Sequence, residues 1–211
     1  MKKIFLPSSL ILLIAFASEG CKKDPLNNLT NDETRIYITN YDTTASFSNY
    51  NTFSIVDSVD IIQDNQLLGK QLGLFESSVI RTIQLNMKQS GYTMVNKTGN
   101  PDLAINISEI TNTSTGVFSY TDYWNSYDSF YDPYYWGDPG YGYYSPYAVG
   151  TYTIQTGGLE IDLLDLKNAT ANGNKIVTIW TGLARGEQVF DPSNASTEVS
   201  ALFAQSAYLK N

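Results

Sequence analysis

The chain carries a single cysteine, Cys21, in 211 residues, so whatever folds behind it does so without an internal disulfide. A hydrophobic core alone has to hold the domain together, and a chain of this length can bury one such core. The same inventory narrows the chemistry. The chain contains no histidine. That removes Ser-His-Asp and Cys-His mechanisms, together with zinc sites built on imidazole or on paired thiolates.

The position of the cysteine carries the second constraint. Lys2 and Lys3 precede an apolar stretch from Ile4 to Ala17, interrupted by Pro7, Ser8 and Ser9, and Gly20 stands directly before Cys21. A membrane-spanning helix needs ~20 apolar residues, so this shorter run reads as a signal peptide over residues 1–20. A small residue directly before the cysteine resembles the bacterial lipobox, which makes Cys21 the expected lipidation site. A diacyl or triacyl chain there would anchor the protein firmly to a membrane. Residues 21–34 are polar and lack apolar periodicity, as expected of a flexible tether. Loss of Lys2, Lys3 and Glu19 with the signal takes the formal charge from −8 to −9. Such a surface repels phosphate backbones, and no nucleic-acid partner is expected.

Residues 35–211 read as one domain. Ile36 and Ile38 alternate in a first strand, and Phe47 to Ile55 leads into a second. Leu68, Leu72, Phe75, Val79, Ile83 and Met87 recur at three- and four-residue spacings. That predicts a helix of about six turns, capped at Asp64 or Asn65 and closed by Gly91. Strands are expected at Tyr92 to Val95, Asp102 to Thr115, Gly150 to Thr156, Leu159 to Leu166 and Ile176 to Val189. In the penultimate strand Leu159, Ile161 and Leu163 take the core face, leaving Glu160 and Asp162 toward water or helix ends. Trp180 reads as core, with Gly182 either admitting a large neighbour or marking a bulge. Asp191-Pro192 begins a closing amphipathic helix containing Val199, Leu202 and Phe203. The order β-β-α-β-β-β-β-β-α predicts an α+β fold: an antiparallel-rich sheet with two helices on one face, a two-layer sandwich.

The segment Phe118 to Tyr147 breaks this pattern. Ten of its thirty residues are Tyr, with Trp124, Trp136, Phe118 and Phe130 among the rest, and no Lys or Arg occurs between Lys97 and Lys167. The reading is a long Tyr/Gly-rich loop over residues 118–147, a length that is usually functional or disordered. Three roles fit. The tyrosines can cover the sheet face that the helices leave open, Tyr123, Trp124, Tyr127, Tyr134, Tyr135 and Trp136 can form a ligand-binding platform, or the segment can be a disordered, self-associating tract of the low-complexity aromatic kind. Tyr and Trp supply rigid contact area at low entropic cost.

Several strings together resemble a family of proposed lipoproteins, domain of unknown function 4136. They are Phe47-x-x-Tyr50-x-Thr52-Phe53, Gly91-Tyr92, Pro101-Asp102-Leu103, Gly158-Leu159-x-Ile161-Asp162-Leu163-x-Asp165 and Trp180-x-Gly182-x-Ala184-x-Gly186. The resemblance spans about Phe47 to Phe203. It implies an α+β lipoprotein domain and brings no activity or catalytic residue.

Among carboxylates, Asp162 is the best candidate for catalysis. Asp165, three positions away in a strand, faces the opposite side. Asp122, Asp128, Asp132 and Asp138 sit in the aromatic segment without the spacing of a calcium loop, so no metal or cofactor is expected. The leading expectation is a non-enzymatic envelope lipoprotein in the outer membrane, on its periplasmic face or at the cell surface. It would bind a glycan or another envelope protein. The alternatives are a carboxylate-dependent glycan hydrolase and a purely architectural partner of an envelope protein.

Overall fold

The computed structural model describes residues 30–112, 117–146, 153–155 and 157–211, so Cys21 and the expected signal peptide lie outside the described residues. In chain order the elements are α1 (Asn31–Thr34), β1 (Ile36–Tyr41), β2 (Thr52–Ile55), β3 (Val59–Gln63), β4 (Gln66–Gln71), α2 (Leu74–Gln89), β5 (Thr93–Met94) and β6 (Leu103–Thr111). They continue as β7 (Val117–Ser119), α3 (Tyr120–Asn125), α4 (Tyr127–Phe130), β8 (Gly142–Tyr144), β9 (Thr153–Gln155), β10 (Gly158–Asp165), β11 (Lys175–Arg185) and α5 (Ala195–Ala204). Among the described residues nine strands form one mixed sheet, ordered β1-β11-β10-β6-β2-β5. β3 also pairs with β6, beyond β2 on the same edge, and β8 runs parallel to β11. From the β1 edge inward, β1, β11, β10 and β6 are successively antiparallel.

One face of this sheet is apolar. Leu103, Ile105 and Ile107 of β6 and Leu159, Ile161 and Leu163 of β10 are buried in one cluster with Phe75, Val79, Ile83 and Met87 of α2 and Val199 and Leu202 of α5. Each such aliphatic side chain contributes about 1.5–3 kcal/mol by burial. The two helices also pack against each other. Trp180 belongs to this core. Its Nε1 donates to Ser206 Oγ at 2.9 Å, and its ring lies over Gly182, where a Cβ would come within 2.5 Å. Gly182 therefore admits a large neighbour, while the irregularity in β11 falls at Ile179.

The α+β architecture with both long helices on one face agrees with the periodicity, but four details differ. The first long helix begins at Leu74, not before Leu68. Asp64 and Asn65 both take positive φ (51° and 58°), as a two-residue hairpin turn requires. They reverse the chain into β4, and Leu68 is 60% exposed. The helix starts instead at Gly73, whose N–H donates to Glu76 Oε2 at 2.6 Å. The closing helix starts at Asn194, because Asp191 accepts from Ser193 N and caps the preceding turn. Thr153–Gln155 does not extend the main sheet. It pairs with Val117–Ser119 as a two-stranded ribbon at the neck of the aromatic segment. Finally, within the stretch expected as tether, Asn31–Thr34 forms a helical turn with a capping box between Thr30 and Glu33.

Candidate functional site

The opposite sheet face is polar, and the aromatic segment covers it. Strand register lines up two rows of side chains across the sheet. Asp60 of β3, Ser108 of β6 and Glu160 of β10 are direct neighbours in one row, which continues to Leu183 of β11 and Ile38 of β1. The next row holds Asn106 of β6, Asp162 of β10 and Thr181 of β11. Asp60, Asn106, Ser108, Glu160 and Asp162 are all fully buried. The expectation that Glu160 and Asp162 face water is thus overturned, and the reason is the cover that the aromatic segment forms above them.

That cover is folded. The segment read as a loop contains α3 and α4, then a 3-10 turn at Pro133–Trp136 and the short strand β8. Tyr123, Tyr127 and Tyr131 follow one another at intervals of four, which puts their rings on one side of the helical stretch. All three phenols point into the polar rows. Tyr127 OH donates to Asp162 Oδ2 at 2.9 Å and accepts from Asn106 Nδ2 at 3.1 Å. Tyr123 OH donates to the same Oδ2 at 3.2 Å, and Tyr131 OH pairs with Ser108 Oγ. Around them Trp124 stacks on Tyr127 with centroids 4.6 Å apart, and Phe130, Ile62, Ile110 and Leu183 complete a second apolar cluster.

The electrostatics follow from burial. Desolvation raises Asp162 to about 7, opposed by hydrogen bonds from Tyr127, Tyr123 and Glu160. Burial also lifts Tyr123 and Tyr127 well above the ordinary phenol value, with the Asp162 carboxylate adding to the shift. The phenols therefore stay protonated and act as donors. Asp60 is raised by burial and held against this by Lys70, whose Nζ lies 3.1 Å from Oδ1. The phenols engage Asp162 Oδ2, Asn106 Nδ2 and Ser108 Oγ, while Asn106 Oδ1 and Asp162 Oδ1 receive no hydrogen bond from them, and the carboxylates have no exposed surface at which a substrate could meet them. Asp165, at the end of β10, accepts from Tyr50 OH at 3.0 Å and from Asn168 Nδ2 at 2.8 Å.

The expected platform residues divide. Tyr123, Trp124, Tyr127 and Trp136 are buried, Tyr135 is half-buried, and Tyr134 is 69% exposed. Tyr134, Tyr135 and Trp136 border an open cleft of ≈ 850 Å³, with Lys97, Asn100, Asp102, Asp138 and Lys167 along its walls. Lys97 Nζ lies 3.7 Å above the Tyr135 ring, and Tyr135 meets Trp136 edge-on at 4.7 Å. Lys167 Nζ donates to Asn49 O at 2.6 Å and lies 3.8 Å from Asp102 Oδ1. Among the acidic residues of the aromatic segment, Asp128 accepts from Tyr143 N and Asp132 from Tyr134 N. No group of three or more His, Cys, Asp or Glu side chains that could hold a metal occurs among the described residues.

The family model described as Domain of unknown function (DUF4136) matches residues 38–206. Among solved structures, a DUF4136 family protein from Bacteroides thetaiotaomicron VPI-5482 is similar, with 30% sequence identity and a TM-score of 0.69 over 84% of this chain and 98% of that one. A PelC dodecamer from Paraburkholderia phytofirmans is matched at 10% identity and a TM-score of 0.38, over 84% of this chain and 99% of that one. No curated protein matches.

Proposed function

The chain belongs to the DUF4136 family, and from that premise we propose a non-enzymatic module of the cell envelope, lipid-anchored through Cys21 in the outer membrane, that meets its partner at the cleft beside Tyr134. The carrying observation is the division of labour within the aromatic segment. Its buried phenols are engaged by the sheet, while its tip is left open to solvent. A binding module needs a rigid scaffold and a presented surface, and the segment supplies both.

The non-enzymatic reading rests on the missing histidine and on Asp162. This carboxyl has the raised pKa of a general acid, but it is sealed under Tyr123 and Tyr127. A general acid has to reach the proton acceptor of its substrate within hydrogen-bond distance. The anchor rests on Cys21, which follows Gly20 shortly after an apolar stretch too short to span a bilayer. Among the described residues no helix is long and apolar enough to cross a membrane.

Mass spectrometry of the N-terminal peptide from natively expressed protein tests the anchor. The expected result is a diacyl or triacyl adduct on Cys21 in the outer-membrane fraction; an unmodified thiol in soluble protein overturns it. The non-enzymatic reading fails if the purified protein cleaves envelope glycans and Asp162→Asn abolishes that cleavage.

A further inference from the structure

We propose that the cleft beside Tyr134 is a carbohydrate subsite that takes neutral pyranose units of a longer glycan chain, a reading that rests on the cleft being the binding face. Shape comes first. At ≈ 850 Å³ the cleft lies within the size range of ligand pockets. It is partly open to solvent, so a ligand can extend beyond it.

The floor and walls have the chemistry a sugar ring needs. A pyranose presents an apolar face of C–H groups and a rim of hydroxyls. Tyr134, the most exposed ring of the described aromatic segment, offers a flat apolar surface. It is held on a rigid turn: Asp132 caps the turn through Tyr134 N at 2.9 Å, Pro133 opens it, and Gly137 closes it at φ 96°. Its neighbour Tyr135 is clamped between the Lys97 ammonium and the edge of Trp136. Such pre-organisation lowers the entropic cost of binding. The Asp138 carboxylate and the Asn100 amide line the same cleft, offering acceptors and donors for hydroxyls. Partial burial of Asp138 raises its carboxyl, a sign of reduced hydration there.

Charge selects the class within carbohydrates. Two lysines and two aspartates line the cleft, and the Lys167 and Asp102 pair is already matched at 3.8 Å. The remaining Lys97 and Asp138 balance each other. A polyanionic glycan would also approach a mature protein of formal charge −9 against its field. Neutral pyranoses fit this balance.

The test uses the mature lipoprotein in detergent micelles, titrated calorimetrically with cellohexaose, maltohexaose and mannohexaose, and with oligogalacturonate as the anionic control. The expected result is submillimolar binding of at least one neutral hexasaccharide. Tyr134→Ala should weaken it by about tenfold or more, the size of a central aromatic contact. Tyr134→Phe should recover most of the affinity that Tyr134→Ala loses, because stacking uses the ring and not the hydroxyl. Thermal melts should match the parent, since Tyr134 is exposed. No binding of any neutral probe, preference for oligogalacturonate, or binding indifferent to Tyr134→Ala overturns the proposal. Lipidated protein that binds no sugar removes the subsite and leaves the anchor standing; sugar binding by protein with an unmodified Cys21 does the reverse.

Discussion

The two faces of the sheet solve the burial problem in opposite ways. Toward α2 and α5, the strands present Leu103, Ile105, Ile107, Leu159, Ile161 and Leu163, and the helices answer with Val79, Ile83 and Leu202. Directional partners there are few: Trp180 N–H, the Tyr50 and Tyr92 hydroxyls, and the carboxyls of Glu76, Glu109 and Glu198. Toward the aromatic segment the same strands present Asn106, Ser108, Glu160 and Asp162. A cover of Phe or Leu would bury those groups at about 1–3 kcal/mol for each one left without a partner. Tyrosine brings a large apolar ring and, at its far end, a hydroxyl that donates and accepts. The comparison explains a composition that looks like low complexity. Tyr123, Tyr127 and Tyr131 are tyrosines because the face beneath them is polar.

The contrast can be broken at several points, from the largest effect to the smallest. Replacing residues 120–144 with a short Gly-Ser linker would expose Ile62, Ile110, Leu183 and the carboxylate rows together. The expected outcome is loss of the cooperative unfolding transition by circular dichroism; a retained transition would mean that the cover is dispensable. On the helix face, Ile83→Ala should cost about 2–5 kcal/mol in urea unfolding, the usual penalty for a cavity in an apolar core.

The pH response sharpens the comparison further. Burial raises Asp162 to about 7, Glu198 to about 7 and Glu109 to about 8. All three folded values lie above those of the unfolded chain, near 4. The stability tied to their neutral forms is therefore full below about pH 4 and is lost as pH rises through 7 to 8. The melting temperature should fall between pH 5 and pH 9. Asp162→Asn, which cannot ionise, should remove only the polar face's share of that fall, since Glu109 lies beside Leu159 on the helix face and Glu198 lies in α5. An equally steep profile in the variant would place the pH dependence outside the polar face.

The helix face was legible in the sequence because apolar periodicity reports burial against apolar partners. Leu159, Ile161 and Leu163, and likewise Val79, Ile83 and Met87, were readable this way. The helix start was not, because Asp and Asn serve equally as N-caps and as hairpin turns. Leu68 and Leu72 extend the helical stripe by spacing alone, and only the positive φ of Asp64 and Asn65 decides the matter. The polar face was hidden for a different reason. Alternating carboxylates in a strand normally mean solvent, and nothing local says that a distant segment will cover them. One signal was available: Tyr123, Tyr127 and Tyr131 recur every four residues, a helical stripe inside a stretch whose Gly, Pro and Ser content argued for a loop. The cleft lay beyond local reading, since Lys97 to Asp102 and Tyr134 to Asp138 meet only through the tertiary fold.

Hydroxyls, and not rings alone, make this cover fit. Urea unfolding of Tyr127→Phe, beside Tyr134→Phe as control, tests it most directly. Tyr127→Phe keeps the ring and its stack on Trp124 but strips Asp162 of a donor and Asn106 of an acceptor. The predicted loss is about 1–3 kcal/mol, with Tyr134→Phe unchanged within about 0.5 kcal/mol. If Tyr127→Phe is as stable as the parent, the phenols are not what satisfies the polar face, and the explanation of the tyrosine-rich segment falls with them.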